Sequence, residues 1–138
     1  MKEQRTSVPS EALQLPVLAQ FLQEFWCAAE LPAAQSMPFE IALEEIFMKI
    51  VTHGTPEGTP NRVELCLALT GDDLTLALED EGPPFDPLTL PPPDVNARLE
   101  ERRVGGLGIF LVRQMMDSVS YTRVGRRNHL RMTKHVAR

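Results

Sequence analysis

Between Val63 and Asp80 the chain alternates almost without interruption: Val63, Leu65, Leu67 and Leu69, a turn signal at Gly71-Asp72, then Leu74, Leu76 and Leu78. Successive strand residues point to opposite faces, so this pattern predicts two antiparallel strands with one leucine-lined face and one polar face. A leucine-lined face must be covered by another layer. Two upstream segments suit that task. From Pro16 to Glu30 the residues Val17, Leu18, Phe21, Leu22, Phe25 and Trp26 recur at steps of three and four, which predicts a helix stopped near Pro32. From Pro38 to His53, Phe39, Leu43, Ile46, Phe47 and Ile50 form a second stripe behind a proline tolerated in a first helical turn, with Glu40, Glu44 and Glu45 on the other side.

Gly54, Pro56, Gly58 and Pro60 separate this helix from the strands. After Asp80 the periodicity disappears. Six of the twelve prolines lie between Gly82 and Val104, and an irregular stretch of that length inside a compact domain signals a functional lid or disorder. Order resumes at Gly105-Gly106-Leu107-Gly108, which leads into a helix expected to place Leu107, Phe110, Leu111 and Met115 on one face. Two further strands are predicted around Val119 to Val124 and His129 to Val136, joined by Gly125-Arg126-Arg127-Asn128. The expected architecture is α+β, a two-layer sandwich with helices on one face of a mainly antiparallel sheet. With 138 residues, 43% of them hydrophobic, it is expected to form one domain over 1–138.

The net charge of −5, from 19 acidic and 14 basic residues, predicts no general attraction to nucleic acid or to an anionic membrane. The opening MKEQRTSVPSEAL lacks the apolar core of a signal peptide, no apolar run is long enough to span a bilayer, and Cys27 and Cys66 lack metal-ligand spacing. The expectation is a cytoplasmic protein acting on protein or small-molecule partners. The spacing of His53, His129 and His135 fits no metal set either.

Asp80 shares the parity of Leu74, Leu76 and Leu78, which directs its carboxylate toward the buried face. A buried carboxylate needs hydrogen-bond donors, and the exocyclic amine of a purine in a slot between sheet and helices would be one. The alternative is a strand that frays early, leaving Asp80 to cap a turn. Gly82 would let backbone approach a flat ligand, with Phe85-Asp86-Pro87 turning the chain into the loop. At Gly105, Gly106 and Gly108 a loop enters a helix, so free amides and the positive end of the helix dipole converge as in a phosphate site. A hinge with close helix packing would give the same glycines. No Walker lysine follows them and no strand precedes them, so neither the P-loop nor the dinucleotide fingerprint applies.

Taken in order, the glutamate-bearing helix ending in His53-Gly54, the run Glu79-Asp80-Glu81-Gly82-Pro83-Pro84-Phe85-Asp86-Pro87, and Gly105-Gly106-Leu107-Gly108-Ile109 resemble the histidine-kinase-like ATPase superfamily, and within it the anti-sigma-factor serine/threonine kinases. Leu111-Val112-Arg113, Met116-Asp117-Ser118-Val119, Tyr121, Asn128, Leu130, Met132 and Lys134 extend the likeness, which runs from about Phe39 to Lys134. The resemblance implies an ATP site in which Asp80 takes the adenine amine, Gly82 allows its approach beside Phe85, and the Gly105, Gly106, Leu107 and Gly108 segment holds the phosphates. It makes residues 82–104 an ATP lid, with Arg102 or Arg103 near its end to neutralise phosphate charge. Glu45 becomes the general base toward a serine hydroxyl of an anti-sigma-factor antagonist, whose phosphorylation governs a sigma factor and so transcription, with a homodimer as the expected assembly.

One position departs from the family pattern: Lys49 stands where a magnesium-binding asparagine is expected, four residues after Glu45. A cation does not ligate a cation. Either Glu45 and Lys49 form an ordinary pair one turn apart, or Lys49 itself contacts the phosphates while Mg2+ is held by phosphates and water rather than by protein side chains. The bulk of Ile46, Met48 and Ile50 implies a narrower pocket. Three functions follow as alternatives: an active kinase, a catalytically impaired ATP-binding or partner-binding module, or an accessory ATPase domain of another phosphotransfer system.

Overall fold

The computed structural model describes residues 2–56, 61–89 and 107–137. Five strands form one antiparallel sheet: β1 (Lys2–Pro9), β2 (Arg62–Thr70), β3 (Asp73–Asp80), β4 (Ser118–Val124) and β5 (Arg127–His135), in the order β1-β2-β3-β5-β4. Three helices, α1 (Leu15–Ala28), α2 (Met37–His53) and α3 (Leu107–Met115), complete the described residues together with short 3-10 turns. This is the expected two-layer α+β sandwich. The hairpin of β2 and β3 pairs Val63 with Asp80 and Leu69 with Leu74, and Gly71 sits at φ 63, in the left-handed region that its turn requires.

Every inward residue of the alternating run is buried: Val63, Leu65, Leu67, Leu69, Leu74, Leu76 and Leu78 all lie in the core. Opposite them stand Leu18, Leu22, Phe25 and Trp26 of α1, Phe39, Leu43, Ile46, Phe47 and Ile50 of α2, and Ile109 and Val112 of α3. Each fully buried leucine or phenylalanine contributes about 1.5–3 kcal/mol, so this shared core holds the two layers together. The rings of Trp26 and Phe39, 5.6 Å apart, tie α1 to α2. Just after α1 and its cap Ala29, the chain turns away through Glu30, whose φ of 56 is the left-handed geometry that usually recruits glycine.

Five expectations need correction. The strand β1 was absent from the sequence reading: KEQRTSVP is an edge strand that buries only Val8, so it carries no apolar alternation to find. On α1, Val17 is exposed, because the buried stripe runs through Leu18, Leu22, Phe25 and Trp26. On α3 the core face is Ile109, Val112 and the adjoining Met116, which turns Phe110 and Leu111 toward solvent. Ile46 and Ile50 are packed into the core between the layers, so their bulk fills the interior. Arg127 and Asn128, expected in the last turn, instead begin β5, and Gly125 at φ 59 makes the reversal. No helix among the described residues is long and apolar enough to cross a membrane.

Candidate functional site

Asp80 is the last residue of β3, paired with Val63 on one side and Asn128 on the other. Register directs its side chain inward, and it is 3% exposed. Its Oδ1 accepts from the Gly82 amide at 2.8 Å, the Asn128 side-chain amide at 3.1 Å and that of Asn61 at 3.4 Å. Asn128 in turn donates to the Pro83 carbonyl at 3.0 Å and accepts from the Phe85 amide at 3.2 Å, from Arg123 at 3.1 Å and from the Tyr121 hydroxyl. Arg123 also donates to the Gly82 carbonyl at 2.7 Å. Asp80 therefore anchors the turn that leaves β3, and both of the alternatives for it hold in part: it faces inward, and it caps the turn. Among the described residues, all of its hydrogen bonds fall on Oδ1.

Gly82 is required by packing. A Cβ there would stand 2.6 Å from the Gly54 carbonyl oxygen and 2.9 Å from Asp80 Oδ1. The C-terminal end of α2 is thus pressed against the corner where β3 ends. Phe85 closes the same corner, its ring 6.1 Å from that of His53 and in contact range of Gly54.

Farther back along α2, about 12 Å by helical rise, Glu45 meets α3. A Cβ on Gly108 would overlap the Glu45 carboxylate, so the glycine leaves space that the acidic side chain fills. Both residues are half-buried. Lys49, also half-buried, follows one turn later, and no ion pair joins it to Glu45 among the described residues. The ordinary intrahelical pair is therefore not formed. Among the same residues no group of three histidine, cysteine, aspartate or glutamate side chains is placed to hold a metal ion. With an ammonium at position 49, the donor set does not fit a magnesium ion ligated by protein side chains.

The structure thus brings together Asp80, Gly82 and Phe85 at the C-terminal end of α2, and Glu45 and Gly108 at its middle, with Lys49 between the two levels. Gly105, Gly106, Arg102, Arg103 and the lid from 90 to 104 lie outside the described residues, as does the side chain of Leu107, although α3 begins at that residue. Sequence reasoning did not assign Asn61 or Arg123 to the site, nor the role of Asn128 as its second hub. For Asn128 a signal existed: it has the inward parity of Leu130 and Met132, and a polar residue there must be bonded to something. Arg123 shares the parity of Val119 and Tyr121 on β4. Asn61 precedes its strand and offered no such cue.

Comparison with known proteins identifies the family of the chain. The sequence profile described as the histidine kinase-like ATPase domain matches residues 8–134. The serine/threonine-protein kinase BtrW of Bordetella bronchiseptica is 32% identical over 97 residues, covering 70% of this chain and 68% of that protein. The serine-protein kinase RsbW of Staphylococcus epidermidis is 29% identical over 86 residues, covering 59% of this chain and 54% of its own length. A crystal structure of RsbU and RsbW domains from Mycobacterium tuberculosis superposes with a TM-score of 0.69 at 12% identity, covering the whole of this chain and 33% of the larger one, which is a likeness of fold. This chain belongs to the histidine-kinase-like ATPase domain family, on the side of it that includes the serine/threonine-protein kinases BtrW and RsbW.

Proposed function

We propose that this chain binds ATP and acts as a cytoplasmic serine/threonine protein kinase of the anti-sigma-factor type, transferring phosphate to a serine of an antagonist protein and thereby controlling a sigma factor. The observation that carries the reading is the inward carboxylate of Asp80, almost fully buried yet hydrogen-bonded within the described residues through one oxygen alone. Its second oxygen accepts the adenine amine, and the base lies beside the turn from Gly82 to Phe85 that Asp80 anchors. The relatives BtrW and RsbW, named as kinases, support the same reading.

The base sits at the Asp80 end of α2 and the phosphates beside Gly108, where the start of α3 provides amides and a positive dipole end. Gly105, Gly106 and Leu107 supply further amides, and Arg103 a charge at the end of the lid. Glu45, against Gly108, receives the proton of the incoming serine hydroxyl. Lys49 lends positive charge to the phosphates in place of a side-chain ligand for magnesium, and any Mg2+ is carried by phosphates and water. The assembly is a homodimer.

One observation favours a second reading. A half-buried lysine with no ion pair to Glu45, standing at the metal-ligand position, suits a domain that holds nucleotide and partners but has lost transfer. Calorimetric titration with ATP, with and without magnesium, tests the common core. Wild type binds, and Asp80→Asn, which keeps an acceptor at Oδ1 but presents an amide to the adenine, loses at least about tenfold in affinity. Unchanged affinity in that variant overturns the nucleotide reading. Transfer of label from ATP to the antagonist by Lys49→Asn but not by wild type selects the second reading over the first.

A further inference from the structure

Charge is divided unevenly between the two layers. From Arg5 to Lys49 no lysine, arginine or histidine intervenes, while that span carries Glu11, Glu24, Glu30, Glu40, Glu44 and Glu45. It contains all of α1 and nearly all of α2. The ion pairs of the described residues lie elsewhere: Arg5 with Glu3 and Glu64, Arg127 with Glu79 and Glu81, His129 with Glu79, and His135 with Asp73, all on or beside the sheet. The sheet neutralises its acids internally, and the helical surface does not.

That surface is also indented. Between α1 and α2 runs a groove of about 430 Å³, its apolar surface formed by Leu15, Pro16 and Ala19 over the core residues Leu22 and Leu43, rimmed by Glu40 and Glu44 on one side and Gln20 and Gln23 on the other. Glu40 and Glu44 are both exposed, one helical turn apart on one face, so their carboxylates repel each other in the free protein. An apolar floor with a rim of one sign selects its occupant by complementarity. The floor takes a row of aliphatic side chains, and the rim takes lysine or arginine spaced one turn apart on the same helix.

We propose that the α1–α2 groove is the docking site for an amphipathic helix of a partner protein whose apolar stripe is flanked by basic residues. The site is separate from the nucleotide reading, since Glu45 faces Gly108 and does not line the groove. Glu40 and Glu44, not the exposed glutamates at large, set the sign of the partner.

Fluorescence anisotropy with a labelled leucine–lysine amphipathic peptide, and with its leucine–glutamate counterpart as reference, tests this on the full chain. The basic peptide is expected to bind and to weaken as ionic strength rises through the physiological range, and the acidic one not to bind. Glu40→Gln with Glu44→Gln lowers affinity by about tenfold without changing the melting temperature or ATP binding, because both side chains are exposed, while Glu64→Gln on the sheet leaves it unchanged. Equal binding of the two peptides, or wild-type affinity in the double variant, overturns the proposal. So does sedimentation showing a homodimer that the double variant dissolves, which would assign the groove to a second copy of this chain.

Discussion

The C-terminal end and the middle of α2 build their shares of the proposed site by opposite means. At the His53 end, Asp80 and Asn128 hold the chain from Gly82 to Phe85 through a network of hydrogen bonds anchored in the register of three strands. At Glu45, in the middle of the helix, the described contact is steric: a carboxylate occupies the space that Gly108 leaves open on a neighbouring helix. Buried hydrogen bonds between backbone and fixed strands specify one geometry before any ligand arrives. A carboxylate resting against a glycine can swing on its own side-chain torsions, and its position is set by where α3 sits. The difference teaches which half of the site is rigid scaffold and which half is suited to rearranging during a reaction.

Substitutions break that contrast in a definite order. Removing the hub should cost most. Asp80→Ala leaves Asn128, Asn61 and the Gly82 amide short of an acceptor, and chemical denaturation should show a loss of about 3 kcal/mol. A loss below about 1 kcal/mol would mean that the network is not what holds the corner. Gly82→Ala drives a Cβ into the Gly54 backbone, which cannot rotate away, and should cost about 2 kcal/mol by the same measurement. Tyr121→Phe removes one donor to Asn128 while Arg123 and the Phe85 amide remain, for about 1 kcal/mol. Gly108→Ala should be nearly silent in stability, since about 1 kcal/mol of helix propensity offsets the displaced Glu45 side chain, and yet should impair phosphate transfer. A large stability loss there would erase the distinction between the two regions.

How much of this could be read from residues alone follows the same division. The β2–β3 hairpin and the helical stripe of α2 were legible because period-2 and period-3.6 burial leave direct marks in the sequence. Asp80 was legible for the same reason, as a charge on a leucine face. What escaped was determined by partners distant in sequence. β1 forms because β2 offers an open edge some sixty residues later, and neither of its own faces is apolar enough to announce it. Phe110 and Leu111 look like core residues until the direction of α3 against α2 is known, and Ile109 and Val112 take that place. Asn61 joins the hub because it stands just before β2, between the end of β1, whose Ser10 amide bonds the Asn61 carbonyl, and the end of β3, where its side chain reaches Asp80. The glycine run at 105 and 106 was read as a motif, and the described residues reach only its last member, Gly108.

The strand order carries a consequence for how such a chain is assembled. Among the described residues β4 borders only β5, and β5 is wedged between β4 and β3. During synthesis the ribosome therefore delivers β4 before β5, the strand it pairs with, exists, and the sheet stays split until β5 arrives. That late insertion delivers Asn128 to the Asp80 carboxylate in the same motion, so this corner matures only after β5 has emerged.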